Sequence, residues 1–208
     1  MSKKKLPETG YRVFKFLLTP LFKFWYRPTV LNKEVIPTEG PIMVCCNHKH
    51  VLDQCAVIIS TKRVIHYMAK IEYWQSPKTR WFFKHNGCIP VNRSIHDEDA
   101  KSAALDVLND GGAIGLFPEG TRNKTKEFLL PFKFGAVSMA KKTDATIVPV
   151  GVYGDYKFRT DNLIFCFGEP FKVGDMTLEE ANKKLYDEIG RLMRKGEMIY
   201  RKKKKNIK

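Results

Sequence analysis

"IMVCCNHKHVLDQCAVIIS", residues 42–60, reads as one strand, one turn and one helix. Ile42 to Cys46 are five apolar residues in a row, too few for a helix and without polar alternation. Such a run is a strand buried on both faces. Asn47, His48 and Lys49 interrupt it, and 51–60 then supplies a helical stretch. A buried strand feeding a helix is the repeating unit of a layered α/β domain. The same alternation continues on both sides. Strands are expected at 29–36, 64–69, 87–91, 113–117, 146–153 and 163–168, and helices at 79–86, 96–109, 134–142 and 177–196. Asp97, Glu98 and Asp99 suit the positive end of the helix at 96–109, and "NDGG" at 109–112 ends it. Thr177, followed by Glu179 and Glu180, reads as the N-cap and acidic first turn of the last helix. The fold class is therefore α/β, a mixed central sheet flanked by helices, in one domain of 208 residues. Sites in such sheets collect on loops at the carboxyl ends of strands.

Composition excludes several classes. With 43% apolar and 28% charged residues the chain has a globular make-up. Cysteines 45, 46, 55, 88 and 166 show no CxxC and no ligand spacing, and most lie inside apolar runs. They read as reduced, buried small hydrophobes, so no metal is expected. No apolar stretch approaches the ~20 residues that cross a bilayer. No small-residue cleavage site follows an apolar run, so no secretory leader is expected.

The net charge of +15 sits at the ends: residues 1–33 carry +7, residues 191–208 carry +8, and 34–190 balance to zero. Basic ends suit a polyanionic surface, either anionic lipid or nucleic acid, while the last run taken alone also reads as a solvated tail. The first end differs, because it contains "YRVFKFLLTPLFKFWYRP". At 100° per residue, Arg12, Lys15, Thr19 and Lys23 share one side. Val13, Phe14, Leu17, Leu18, Leu21, Phe24 and Trp25 share the other. That pattern suits a helix lying in a membrane interface, or one packed on the core of its own domain. Pro20 should break it into two short helices. Nucleic acid does not explain seven bulky apolar residues, so an anionic membrane surface is the expected partner. The resulting plan is a basic amphipathic segment at 1–28, the α/β domain at 29–196 and a basic tail at 197–208.

Four stretches carry chemistry. In "NHKHVLD" a histidine to pass a proton stands near an acid to orient it. His48 and Asp53 are five apart, and in one regular helix they would point ~140° apart. They meet only if His48 lies in the turn and Asp53 at the start of the next helix. His50 and Asp53, three apart, could share a helical face directly, so spacing alone favours His50 without excluding His48. "GLFPEGTRN" (115–123) runs a strand into Glu119, Gly120, Thr121 and Arg122. Gly lets backbone approach a ligand, Thr and exposed N–H groups hold phosphate oxygens, and Arg matches phosphate bidentately. By residue type alone this stretch reads rather as a polar turn closed by a surface ion pair. "GCIPVNR" (87–93) ends a strand in Arg93, which by itself reads as a surface arginine. "TIVPVGVYG" (146–154) holds Pro149 inside an apolar strand, which implies an edge, a bulge or the wall of an apolar groove.

Taken in order, "NHKHVLD", "GCIPVNR", "FPEGTR" and "IVPV" resemble the four motifs of the glycerolipid acyltransferases, specifically the 1-acyl-sn-glycerol-3-phosphate (lysophosphatidate) acyltransferases. The resemblance covers roughly residues 30–170. It implies that His48, following Asn47 and standing five before Asp53, is the catalytic base. His50 stands where the family often has a small residue such as Ser. Arg93 and Arg122, with Gly120 and Thr121, would hold the glycerol phosphate, Glu119 would orient the glycerol or an arginine, and Pro149 would line an acyl groove. The implied reaction moves an acyl chain from acyl-CoA or acyl-carrier protein to the sn-2 hydroxyl of lysophosphatidate, giving phosphatidate. It needs no cofactor and no acyl-enzyme. An imidazole ordinarily titrates near pH 6.5, so it is mostly neutral at pH 7 and suited to take the hydroxyl proton. The implied location is peripheral (monotopic), on the cytoplasmic face of the cell membrane. Glycerol 3-phosphate or another lysolipid as acceptor keeps the same chemistry. A non-catalytic membrane- or nucleic-acid-binding module would leave the four ordered motifs unexplained.

Overall fold

The computed structural model describes residues 6–92, 94–95 and 97–205. Lys3, Lys4, Lys5 and Lys208 of the basic ends lie outside the described residues, and so does Arg93. Seven strands form one sheet: β1 (Thr29–Leu31), β2 (Ile42–Cys46), β3 (Ile65–Lys70), β4 (Ile89–Val91), β5 (Ala113–Leu116), β6 (Thr146–Tyr153) and β7 (Ile164–Phe167). Their order across the sheet is β1-β7-β6-β2-β5-β3-β4. β6, β2, β5, β3 and β4 run parallel; β7 runs antiparallel to β6 and carries β1 parallel beside it. The sheet is mixed, as the sequence pattern requires. Every residue of β2 is buried, which is why its sequence is apolar without alternation.

Helices cover both faces. Helix α1 (Thr9–Tyr26) and α2 (Asp53–Ser60) share one apolar core with the even-numbered residues of β2 and β6, including Val44, Val148 and Val150. Residues of α4 (Glu98–Asn109), α5 (Gly135–Thr143) and α6 (Leu178–Lys205) join the odd-numbered Met43, Cys45 and Ile147 on the other face. Helix α3 (Pro77–His85) lies against α1, with Phe14 and Phe82 meeting edge to face at 5.1 Å. The close approach depends on Gly10, where a Cβ would come within 2.3 Å of the His85 carbonyl oxygen. Asp97 caps α4 by accepting from Ala100 N (2.9 Å) and also accepts from Asn92 N (2.7 Å). Thr177 and Glu180 cap α6 reciprocally: Thr177 N donates to Glu180 Oε2 (2.8 Å) and Glu180 N to Thr177 Oγ1 (3.2 Å).

Three elements differ from the sequence reading, and a fourth, Pro149, takes one of its three alternatives. Strand β1 stops at Leu31 rather than at 36, because Asn32 turns left-handed (φ 57°) and a 3-10 turn follows at Lys33–Val35. The amphipathic start is one helix, not two. Pro20 removes one N–H inside α1, but the carbonyl it would have reached belongs to Phe16, which is exposed, and Thr19 Oγ1 donates to Lys15 O nearby (2.7 Å). Burial of Tyr11 and Phe22 on either side holds the helix through the break. The segment from 197 onward is helical as far as Lys205. Arg201 pairs with Glu197 (2.7 Å), Tyr200 Oη donates to Asp155 (2.8 Å), and Lys203 reaches Thr29 Oγ1 (2.6 Å), so it packs on the domain. Finally, Pro149 sits in a central strand, not at an edge. Its carbonyl accepts from Gly168 N (2.9 Å), and its missing N–H falls where the β6–β7 register slips by one residue between the pairs Val150–Phe167 and Ile147–Phe171. A bulge thus absorbs the proline.

Candidate active site

Strands β2 and β5 are neighbours, so the turns that follow them meet. Asn47 prolongs β2 by its side chain: its Oδ1 accepts from Val152 N (2.7 Å) and its Nδ2 donates to Val152 O (3.1 Å) on β6. The next residue, His48, is pinned at both main-chain ends by the loop after β5. Its N–H donates to Glu119 Oε1 (2.6 Å), and its carbonyl accepts from Asn123 N (2.7 Å). Its ring lies flat on Phe117, with centroids 3.8 Å apart and planes 12° apart.

His48 lies in the turn and Asp53 is the first residue of α2, so the pair spaced five apart does meet. His48 Nδ1 donates to Asp53 Oδ2 at 2.9 Å. The same oxygen accepts from Lys49 N and His50 N, both at 2.7 Å. The other oxygen accepts from Tyr156 Oη at 2.6 Å. Asp53 is fully buried, and these donors replace its lost hydration. His50 contributes a main-chain N–H to Asp53, while its ring stacks on Tyr156 at 4.2 Å. Residues 49–52 are not helical, so the shared helical face that would favour His50 does not form. With Asp53 accepting at Nδ1, Nε2 is the His48 nitrogen left for a substrate.

Glu119 is buried, and its oxygens accept from His48 N and, at 3.0 Å, from Leu130 N. Burial raises its titration point above the ordinary carboxylate range, and the two N–H donors lower it in part. Both oxygens face main chain, so Glu119 is a strut between His48 and the loop at 130, and Arg122 lies elsewhere, exposed. Gly120 has φ +70°, and a Cβ there would press on the Lys133 side chain at 3.0 Å.

A cavity of about 480 Å³ opens beside the dyad. Thr121, Arg122, Lys124 and Lys70 line it with His48, giving a cationic end. It continues between α1, α2 and α3 along apolar side chains that include Phe14, Ile58 and Phe82. Cys55 and Cys88 also line it, and burial pushes both thiols up to about 12, where they are unreactive. Pro149 is not part of its wall: its ring lies on the opposite face of the sheet, near Gly168 and α6. Among the described residues no group of three His, Cys, Asp or Glu stands together as a metal site.

The structure therefore brings together His48, Asp53, Glu119, Gly120, Thr121 and Arg122. Sequence reasoning missed Tyr156, Phe117, Lys70, Lys124 and the α1 residues Tyr11 and Phe14 that line the cavity. Position at the carboxyl end of β6 was the one available signal for Tyr156.

Comparison with known proteins agrees with this arrangement. The sequence pattern of the Acyltransferase family matches residues 27–153. The chain is 28% identical over 161 residues to the 1-acyl-sn-glycerol-3-phosphate acyltransferase of Bacillus subtilis, covering 75% of this chain and 79% of that one. It is 33% identical over 141 residues to the protein of the same name from Borreliella burgdorferi, covering 67% of this chain and 56% of that one. Among solved structures, the 1-acyl-sn-glycerophosphate (LPA) acyltransferase PlsC from Thermotoga maritima superposes with a TM-score of 0.70 at 23% identity, over 90% of this chain and 81% of that one. This likeness shows a shared fold.

Proposed function

From the premise that the chain belongs to the Acyltransferase family and is an acyltransferase, we propose that it moves an acyl chain from a thioester, acyl-CoA or acyl-carrier protein, to the sn-2 hydroxyl of 1-acyl-sn-glycerol 3-phosphate. The observation that carries this is the His48–Asp53 dyad at the junction of a cationic and an apolar end of one cavity. A lysophosphatidate has those two ends. Its phosphate would meet Arg122, Thr121, Lys124 and Lys70, with Arg93 as a further anchor, and an acyl chain would lie along Phe14, Ile58 and Phe82.

Held this way, the sn-2 hydroxyl comes to His48. Nε2 takes its proton as the oxygen attacks the thioester carbonyl, and Asp53 stabilises the imidazolium. The tetrahedral intermediate collapses, the C–S bond breaks, and the imidazolium returns the proton to the departing thiolate. Phosphatidate and free thiol leave. Fixing the phosphate relative to His48 supplies part of the rate, because orientation alone can be worth several kcal/mol. No protein nucleophile takes part.

Both substrate and product reside in a bilayer surface, which gives α1 its purpose. The helix packs inward through Tyr11, Phe22 and the Lys15 ammonium bonded to Thr61 O, yet turns Val13, Phe16, Leu17, Leu21, Phe24 and Trp25 outward. Phe158 adds to that face, 4.7 Å from Trp25. No helix among the described residues is long and apolar enough to cross a membrane. The outer face of α1 would rest in the interface of an anionic membrane, as suits a peripheral protein on the cytoplasmic face. Segment 1–28 is thus a membrane-association element on the acyltransferase domain, and the basic end of α6 adds charge for the same surface.

The test is product analysis with purified protein and vesicles holding lysophosphatidate, using acyl-CoA or acyl-carrier protein as donor. Glycerol 3-phosphate and lysophosphatidylcholine serve as competing acceptors. Phosphatidate as the main product supports the reading; preference for either competitor overturns it.

A further inference from the structure

Asp53 is held unevenly. Three donors converge on Oδ2, all from the single turn 48–50. A carboxylate bonded at one oxygen alone keeps freedom to pivot about that oxygen. The second oxygen takes its hydrogen bond from a different element, the loop after β6, through Tyr156 Oη at 2.6 Å. That bond fixes the carboxylate plane and with it the direction in which Asp53 faces His48 Nδ1.

Tyr156 is itself caged. His50 stacks on its ring at 4.2 Å and 22°, and Tyr26 of α1 meets it edge-on at 5.6 Å and 80°. The His50 ring is oriented in turn by Leu52 N, which donates to its Nδ1 (3.3 Å). This gives the second histidine of "NHKH" a use that does not involve the proton.

We propose that Tyr156 is a positioning residue of the dyad, holding Asp53 in the plane of His48, and that His50 is the side chain that holds Tyr156. The proposal rests on the reading of His48 and Asp53 as base and orienting acid. Tyr156→Phe keeps the ring, and so the cage, and removes one hydroxyl. Without that donor the Asp53 charge concentrates on the His48 bond, which favours the imidazolium, so the neutral base is recovered at higher pH. The titratable groups around the pair are His50, stacked on Tyr156, and Glu119, Cys46, Cys55 and Tyr67, and Tyr156→Phe removes none of them.

The experiment compares wild type, Tyr156→Phe, His50→Ala and the double variant in lysophosphatidate acylation across pH. Tyr156→Phe should lower kcat about tenfold, as loss of a hydrogen bond to a charged group does. It should leave KM within about twofold and move the acidic limb of the profile up by about half a pH unit. His50→Ala should change the same quantities less, and the double variant should be no worse than Tyr156→Phe, because both act on one bond. A readout without substrate is the NMR signal of the His48 Nδ1 proton and its pH dependence in histidine-labelled protein. It should move in Tyr156→Phe, and it tests the coupling even if lysophosphatidate proves the wrong acceptor. A fall in kcat with an unmoved profile and an unmoved His48 signal would overturn the proposal, as would additive losses in the double variant.

Discussion

Replacing Asp53 separates its two duties. In Asp53→Ala four donors lose their acceptor: His48 Nδ1–H, Lys49 N–H, His50 N–H and the Tyr156 hydroxyl. Asp53 is fully buried, so each orphaned group costs about 1–3 kcal/mol, together roughly 4–12 kcal/mol before any water enters. Domains of this size hold only about 5–15 kcal/mol in all, so the alanine variant should stand at the edge of unfolding. Asp53→Asn is different. With its carbonyl oxygen in the place of Oδ2, the three N–H donors of the turn keep an acceptor. The amide nitrogen then faces Tyr156, whose hydroxyl can rotate to accept. Its stability should fall by no more than about 2 kcal/mol, because charged hydrogen bonds become neutral ones. Activity should nonetheless drop about 10²–10⁴-fold, since no negative charge remains to stabilise the imidazolium. Urea unfolding followed by tryptophan fluorescence, alongside phosphatidate formation, measures both. The reasoning is refuted if the alanine variant unfolds at the wild-type midpoint, or if the asparagine variant turns over at the wild-type rate.

Four further outcomes follow from the geometry. Arg122→Ala should raise KM for lysophosphatidate about 10–100-fold with a smaller change in kcat, because it removes a charged hydrogen bond at the exposed end of the cavity; steady-state kinetics decides this. Glu119 has its folded titration point raised by burial, so its contribution to stability is full below the unfolded value near 4.5 and is lost as pH rises through the folded one. Glu119→Gln lacks this term, so its deficit against wild type should be larger at pH 5 than at pH 8 in urea titrations. Cys88→Phe should narrow the apolar end of the cavity and shift acceptor preference to lysophosphatidates with shorter acyl chains, measured by competition between acceptors of different length. Phe16 and Leu17 are 78% and 62% exposed, so Phe16→Glu with Leu17→Glu should leave thermal stability unchanged while weakening flotation with anionic vesicles and slowing acylation on them.

The parts of the fold set by local pattern were legible before the structure. Strands β2 and β6 occupy 42–46 and 146–153 as read, because each is an apolar run bounded by polar or turn residues. The cap at Thr177 and the acidic start of α4 were legible from local pattern too, though Asp97, read as part of a first turn, is itself the cap. Errors arose where tertiary contacts outweighed local rules. Pro20 did not break α1, because burial of Tyr11 and Phe22 spans it; for Pro149, read as an edge, a bulge or a groove wall, the contacts of Gly168 select the bulge. α1 was read as suiting either a membrane interface or the core of its own domain; it packs one side on the core, with Lys15 turned inward to Thr61, and leaves an apolar side exposed. At the site, spacing alone favoured His50 and the family motif implied His48; with Asp53 at the start of α2, it is the His48 ring that Asp53 meets. Glu119 was chosen for its charge near an arginine, whereas the structure occupies it with the His48 main chain. Tyr156 left no trace in the motifs, since it reaches Asp53 from 103 residues away.

The central claim is that His48, and not His50, takes the proton from the lipid hydroxyl. The most direct measurement is the rate of phosphatidate formation in lysophosphatidate vesicles by wild type, His48→Ala and His50→Ala, each shown to be folded. Loss of about 10²–10⁴-fold in His48→Ala, with a loss of no more than about tenfold in His50→Ala, is the predicted result. Near-wild-type turnover by His48→Ala, or a dead His50→Ala beside it, would contradict the account.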